Sequence, residues 1–197
     1  MNQFNIEGDC VPSSSLGVNE TTLMNLSLIY NTFASLGNYY EHRIIRSVSD
    51  NYGTIFQVNK TSSKKILSKK YVYLINQMLR APFDNNLISY TSPTLINYKT
   101  KHIFAAKTGT DESNSYTIGF NPNYTIGVWC GNDDNSKLMY KNISKKVFQT
   151  LANSINESNV WYNPPSYIKE ISKNKLFIQI IFFKFFHTCL PIFHTLL

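Results

Sequence analysis

Between Ile103 and Gly131, three β-type segments follow one another with little chain between them. The segments Ile103–Thr110, Ser115–Phe120 and Tyr124–Gly131 read as strands, and Asn121-Pro122-Asn123 between the last two is a strong turn signal. A helix is expected directly after them, at about Ser144–Asn156, with Val147, Phe148, Leu151, Ala152 and Ile155 on one side. Strands in succession, followed by an amphipathic helix, restrict the chain to a mixed α+β architecture.

The N-terminal half adds further elements. Residues 1–18 read as loop, with Gly8, Pro12 and Gly17. Leu23, Leu26, Ile29, Tyr30 and Phe33 recur at spacings of three and four, which predicts a helix capped by Asn19 or Thr21 and stopped by Gly37. A hairpin is expected next, from Tyr40–Val48 through a turn at Ser49-Asp50-Asn51-Tyr52-Gly53 to Thr54–Val58. Lys60–Lys70 holds five lysines and reads as a solvated connection. A second helix spans about Lys69–Arg80, with Val72, Ile75, Met78 and Leu79 on one face and Pro82 ending it. Residues 83–100 read as irregular, with a helical turn after Pro93.

Composition narrows the functional classes. The chain has 197 residues, 43% apolar and 16% charged, enough for one domain with a core but not for two of full size. Cys10, Cys130 and Cys189 lie far apart, so no disulfide framework and no zinc-binding pair is expected. The net charge is +7. Its lysines are spread along the chain and arginine is scarce, so no nucleic-acid partner is expected. Met1–Leu16 has neither a basic start nor an apolar stretch, and is not read as a signal peptide. Residues 176–197 are strongly apolar and long enough to span a bilayer, but Lys184 sits near their centre. Three readings stay open for this tail: a membrane segment, a buried terminal segment, or an out-of-frame end.

The chemistry lies in Lys107-Thr108-Gly109-Thr110, on the first of the three strands. Its context carries more than the motif alone. The third strand runs into Gly127-Val128-Trp129-Cys130-Gly131-Asn132-Asp133-Asp134. Upstream stand Leu16-Gly17-Val18-Asn19-Glu20-Thr21-Thr22-Leu23 and Tyr30-Asn31-Thr32-Phe33-Ala34-Ser35-Leu36-Gly37. Together these resemble the transpeptidase domain of penicillin-binding proteins, above all the bifunctional class A peptidoglycan synthases, over about residues 11–158. The part resembled is the C-terminal half of that domain.

The resemblance implies a partial serine β-lactamase / DD-peptidase-like fold of class α+β, an antiparallel sheet with flanking helices. The C-terminal part of such a domain is then expected at 1–158, followed along the chain by a linker at 159–175 and the apolar tail at 176–197. The resemblance also implies a peptidoglycan stem peptide ending in D-Ala-D-Ala, and β-lactams, as partners. The expected location is the outer face of a bacterial cell membrane. Lys107 would face the substrate carboxylate and support proton transfer. Thr108 and Thr110 would hydrogen-bond that carboxylate, and Gly109 would allow close approach. The Thr110 N–H would serve as an oxyanion donor. No metal and no organic cofactor is implied.

The chain departs from the family in one respect. The superfamily joins K-T-G to an upstream S-x-x-K and S-D-N. No lysine precedes Lys60, so S-x-x-K is absent from the first 59 residues. Ser62-Ser63-Lys64-Lys65 and Ser172-Lys173-Asn174-Lys175 fit the letters but not the order, and Ser49-Asp50-Asn51 reads as a hairpin turn. The expectation is a portion of a peptidoglycan transpeptidase without its nucleophile, or else a non-catalytic remnant that binds peptidoglycan or a partner. A large apolar face would then stand uncovered.

The remaining polar and aromatic features have plain readings. Trp129 is expected in the sheet core and Cys130 buried. Asp133-Asp134 is expected in a solvated turn, and His42, His102, His187 and His194 carry no role.

Overall fold

A computed structural model of the chain describes residues 4, 17, 19–57, 62–88, 92–156 and 159–168. The readings made for most of the opening loop and for the 176–197 tail lie outside these residues. The chain divides into two compact units, Thr22–Asn163 and the joined termini Met1–Thr21 with Pro164–Leu197. In the second, the described residues form a turn in which the Ile168 N–H donates to the Pro165 carbonyl.

The larger unit is built on an antiparallel sheet. Strands β5 (Ala105–Thr110), β6 (Asn114–Phe120) and β7 (Thr125–Gly131) pair in sequence order. Ala105 lies opposite Phe120, Lys107 opposite Ile118, and Tyr116 opposite Trp129. The Asn121 carboxamide closes the β6–β7 turn by accepting from the Asn123 and Tyr124 N–H groups (2.9 and 2.8 Å). This is the Asx turn that an Asn-Pro-Asn sequence favours.

Two helices cover the two faces. On one side lies α1 (Leu23–Ala34). Ala105, Phe120 and Ala34 form a buried cluster there, with Tyr30, Phe33, Leu79, Trp161 and Tyr162 packed around it. On the other side α3 (Ile143–Ser154) brings Phe148 and Ala152 onto Phe104 and Val128. The Phe104 and Phe148 rings meet edge to face at 5.6 Å. Burying a side chain of this size contributes about 1.5–3 kcal/mol. Both helices lie close because the sheet offers glycine at the contacts. A Cβ at Gly119 would strike the Phe148 ring, and one at Gly127 would lie 2.5 Å from Ser27 Oγ.

Three expectations for the helices are corrected. Thr22, not Asn19 or Thr21, caps α1, its hydroxyl accepting from the Asn25 N–H at 3.1 Å. It is the residue whose extended backbone sets its side chain across the first turn. The buried stripe of α3 is Ser144, Phe148 and Ala152, while Val147 and Leu151 stand exposed. The sheet meets this helix with Ser115 and Thr117, whose hydroxyls lie 2.7 and 2.9 Å from Ser144 Oγ. Hydroxyls satisfy one another in the seam where the apolar pattern predicts larger residues. In α2 (Lys69–Met78) the buried residues are Val72, Tyr73, Leu74 and Asn76, and Met78 is exposed. Asn76 turns inward because its Nδ2 donates to the Phe33 carbonyl (2.9 Å) across the junction with α1.

The expected hairpin is split. Its first residue, Tyr40, belongs instead to Asn38–Tyr40 (β1), which pairs with Ser63–Lys65 (β4) inside the segment read as a connection. Gly37 directs this exchange. With φ at +96° it reverses the chain after α1, and its carbonyl accepts from the N–H groups of both Ile66 and Leu67. What remains of the hairpin is β2 (Ser47–Asp50) against β3 (Gly53–Gln57), closed at Asn51-Tyr52. Asp50 Oδ1 accepts from the Tyr52 and Gly53 N–H groups (2.8 and 3.0 Å), so Ser49-Asp50-Asn51 is a hairpin tip.

Candidate active-site strand

K-T-G-T occupies the last four positions of β5, on the border of the sheet. Ala106 fixes which atoms of this strand face outward. Its N–H donates away from β6, to the Leu79 carbonyl at 2.8 Å. Hydrogen-bonding direction alternates along an antiparallel strand, so Thr108 and Thr110 also direct N–H and C=O outward, while Lys107 and Gly109 bond β6. Among the described residues no strand pairs with this outer edge.

Side chains alternate across the sheet. Lys107 follows Ala105 on the α1 side, and Thr108 lies on the α3 side with Ala106. The Lys107 side chain is exposed, and its Nζ reaches the border to donate to the Thr108 carbonyl at 2.7 Å. Thr108 is buried and donates from Oγ1 to Thr94 Oγ1 at 3.0 Å. Gly109 and Thr110 are exposed. Thr94 has no counterpart in the sequence-based reading. Its signal is Pro93, which starts the helical turn expected there: the Ile96 N–H donates to the Pro93 carbonyl and the Tyr98 N–H to that of Leu95.

The turn after Thr110 is held by polar contacts. The Asp111 carboxylate accepts from the Ser113 and Asn114 N–H groups (2.7 and 2.6 Å), which hold its pKa below the ordinary value. Asn114 Oδ1 in turn accepts from Trp129 Nε1 at 2.9 Å. Trp129 is therefore not a core residue, as expected, but is 43% exposed beside Tyr116. It sits toward the end of β7 on the α1 side, two residues beyond the contact of Gly127 with Leu23 and Ser27. Its indole fastens the turn that follows the motif.

Other singled-out residues are peripheral. Cys130 is half-buried, and burial raises its thiol pKa. Asp134 is exposed and accepts from the Ser136 N–H in a turn. His102 Nε2 lies 3.1 Å from the Ile155 carbonyl. Ser63-Lys64-Lys65 is the exposed strand β4, far in sequence from the K-T-G-T border. Among the described residues, no three His, Cys, Asp or Glu side chains gather as a metal site would require.

No family model matches the chain. Individual proteins do. Penicillin-binding protein 2D of Bacillus subtilis is 32% identical over 130 residues, 65% of this chain and 19% of that protein. Penicillin-binding protein 1A of Clostridium acetobutylicum is 31% identical over 124 residues, 62% of this chain and 14% of that protein.

These relatives are penicillin-binding proteins. The solved structure of penicillin-binding protein 3 of Mycobacterium tuberculosis, complexed with ampicillin, superposes with a TM-score of 0.55 at 20% identity. It covers 69% of this chain and 34% of that one. The chain thus shares, in part, the α+β fold of that penicillin-binding protein. It spans no more than about a fifth of the length of the curated penicillin-binding proteins named here.

Proposed function

We propose that the chain is the C-terminal portion of a penicillin-binding peptidoglycan transpeptidase domain, supplying the strand on which the substrate lies but not the serine that attacks it. The observation that carries this reading is K-T-G-T on a sheet border that no described strand pairs with, and Lys107 Nζ at that border. An extended peptide can add to such an edge through backbone hydrogen bonds. Lys107 would attract the terminal carboxylate of a stem peptide ending in D-Ala-D-Ala, or that of a β-lactam. Thr110 offers its outward N–H to the carbonyl oxygen that becomes negative during acyl transfer. Thr108 joins the carboxylate contact once its hydroxyl leaves Thr94, and Gly109 keeps the strand surface open. The nucleophile and its lysine come from a preceding part of such a domain. The site of action is then the outer face of the cell membrane. No helix among the described residues is long and apolar enough to cross a membrane.

The second reading is a non-catalytic remnant that holds peptidoglycan or a protein partner. That no S-x-x-K stands in the first 59 residues favours it for the chain acting by itself.

Intact-mass spectrometry after incubation with benzylpenicillin tests the assignment of the nucleophile. The expected mass is unchanged. A stoichiometric adduct would mean that a serine of this chain, Ser62 first, has been recruited. A reconstitution separates the two readings. The serine-bearing part of the Bacillus subtilis relative's transpeptidase domain is mixed with this chain. Penicillin acylation of that part, lost with Lys107→Gln, supports the transpeptidase reading, and no acylation supports the remnant.

A further inference from the structure

On the α3 side of the sheet, the turn at Pro93–Tyr98 and the start of α3 enclose an open cleft of about 470 Å³. Its walls are fixed at three points. Thr94 is bonded to Thr108 of β5 (3.0 Å), Leu95 is fully buried, and Gln149 of α3 donates to the Lys99 carbonyl at 2.8 Å. One wall carries Ile96 and Tyr98 beside the polar Ser92, Thr94 and Asn97; the other is Asn142 and Lys145.

The charge balance of this cleft is one-sided. Among its described lining residues there is one charged side chain, a lysine, and no carboxylate. Lys145 is the lysine on the cleft wall. It is half-buried, its Nζ lies 6.0 Å from the centre of the Tyr98 ring, and no described carboxylate pairs with it. Partial loss of water lowers its pKa, so its charged form gains from any anion that enters. The Asn142 side chain makes no cap bond to α3, and the first turn of that helix holds no acidic residue.

We propose that this cleft binds a small molecule carrying a free carboxylate beside an aliphatic group. The carboxylate would sit against Lys145 Nζ with the Asn142 amide as a second donor, and the aliphatic part against Ile96 and Tyr98. The site borders β5 through Thr94, but the contacts proposed for its ligand are Lys145, Asn142, Ile96 and Tyr98, so it does not depend on the transpeptidase reading. A chain that never reacts with penicillin in any mixture would still bind here.

The test uses the full chain and two probes, N-acetyl-leucine and its uncharged amide, N-acetyl-leucinamide. Binding is read by NMR from the ring signals of Tyr98, assigned with Tyr98→Phe. The acid is expected to shift them saturably, and the amide to leave them in place. Lys145→Gln should weaken the acid by about tenfold, the worth of one charge-assisted hydrogen bond, and Lys145→Arg should restore most of it. Circular dichroism on each variant shows that the fold is kept. Equal shifts from the amide, no saturable shift from the acid, or an unaltered Lys145→Gln affinity would each overturn the proposal.

Discussion

The β5–β6–β7 sheet and the β2–β3 hairpin are both antiparallel, both closed by Asx turns, and both rich in β-branched and aromatic residues. Their surroundings differ completely. Phe120 and Ile118 of β6 are buried to within 2% between two helices, whereas Tyr52, Ile55 and Phe56 of the hairpin are 99%, 68% and 54% exposed. All of Ser47–Asp50 faces solvent. A strand pattern therefore records that a segment can pair, and it does not record whether a third layer will arrive. In the sheet, the glycines at 119 and 127 admit α3 and α1. In the hairpin, Gly53 serves the turn, and among the described residues no helix packs onto a face.

The comparison can be broken by substitutions in the two regions. Phe148→Ala should produce the largest effect, since it empties the centre of the α3-side cluster. A loss of about 3–5 kcal/mol is expected in chemical denaturation, and a loss below 1 would mean that α3 is not needed to hold the sheet. Gly119→Val attacks the same contact from the sheet side. Overpacking against the Phe148 ring and the Ala105 carbonyl should cost about 1–3 kcal/mol or more. Combining it with Phe148→Leu should recover part of that loss if the clash is the cause.

In the hairpin the effects should be small and local. Asp50→Ala removes the acceptor for two turn N–H groups, at about 1 kcal/mol of local stability. Hydrogen exchange should quicken at the amides of 47–57 while those of β6 stay unchanged. Faster exchange in β6 would show that the two regions unfold together.

The smallest effect concerns acid. The folded pKa of Asp111 lies below its ordinary value of 3.8, chiefly through the Ser113 N–H. Its contribution is thus present above that value and is lost as pH falls through the folded pKa. Asp111 is exposed, so solvent screens the effect. NMR of the Ser113 and Asn114 amides should show the turn loosening only at strongly acid pH. Asp111→Asn should remove that step.

The three sheet strands, the two helices against them and the stop at Gly37 were legible in the sequence, because each rests on local pattern or on a glycine with a single conformational use. The border position of K-T-G-T was not. It depends on Leu79 meeting Ala106, a contact between segments whose spacing says nothing of the pairing. Strand β4 was hidden by its lysines, since Ser63–Lys65 pairs through backbone alone with every side chain in water. The exposed Trp129 and the hydroxyl seam under α3 misled for one shared reason. Apolar counts predict burial, yet here specific hydrogen bonds decide which residues face inward.

That hydroxyl seam has a sense of direction. Each hydroxyl carries one hydrogen, and Ser115 Oγ gives its own to the Lys141 carbonyl at 2.7 Å. Ser144 must then donate to Ser115, and Thr117 to Ser144. The three oxygens form a one-way relay that starts at the sheet and ends on the backbone just before α3. Removing its first member strands a lone pair, whereas removing Ser115 strands both a hydrogen and a carbonyl. Thr117→Val should therefore be tolerated better than Ser115→Ala, although it changes the larger residue.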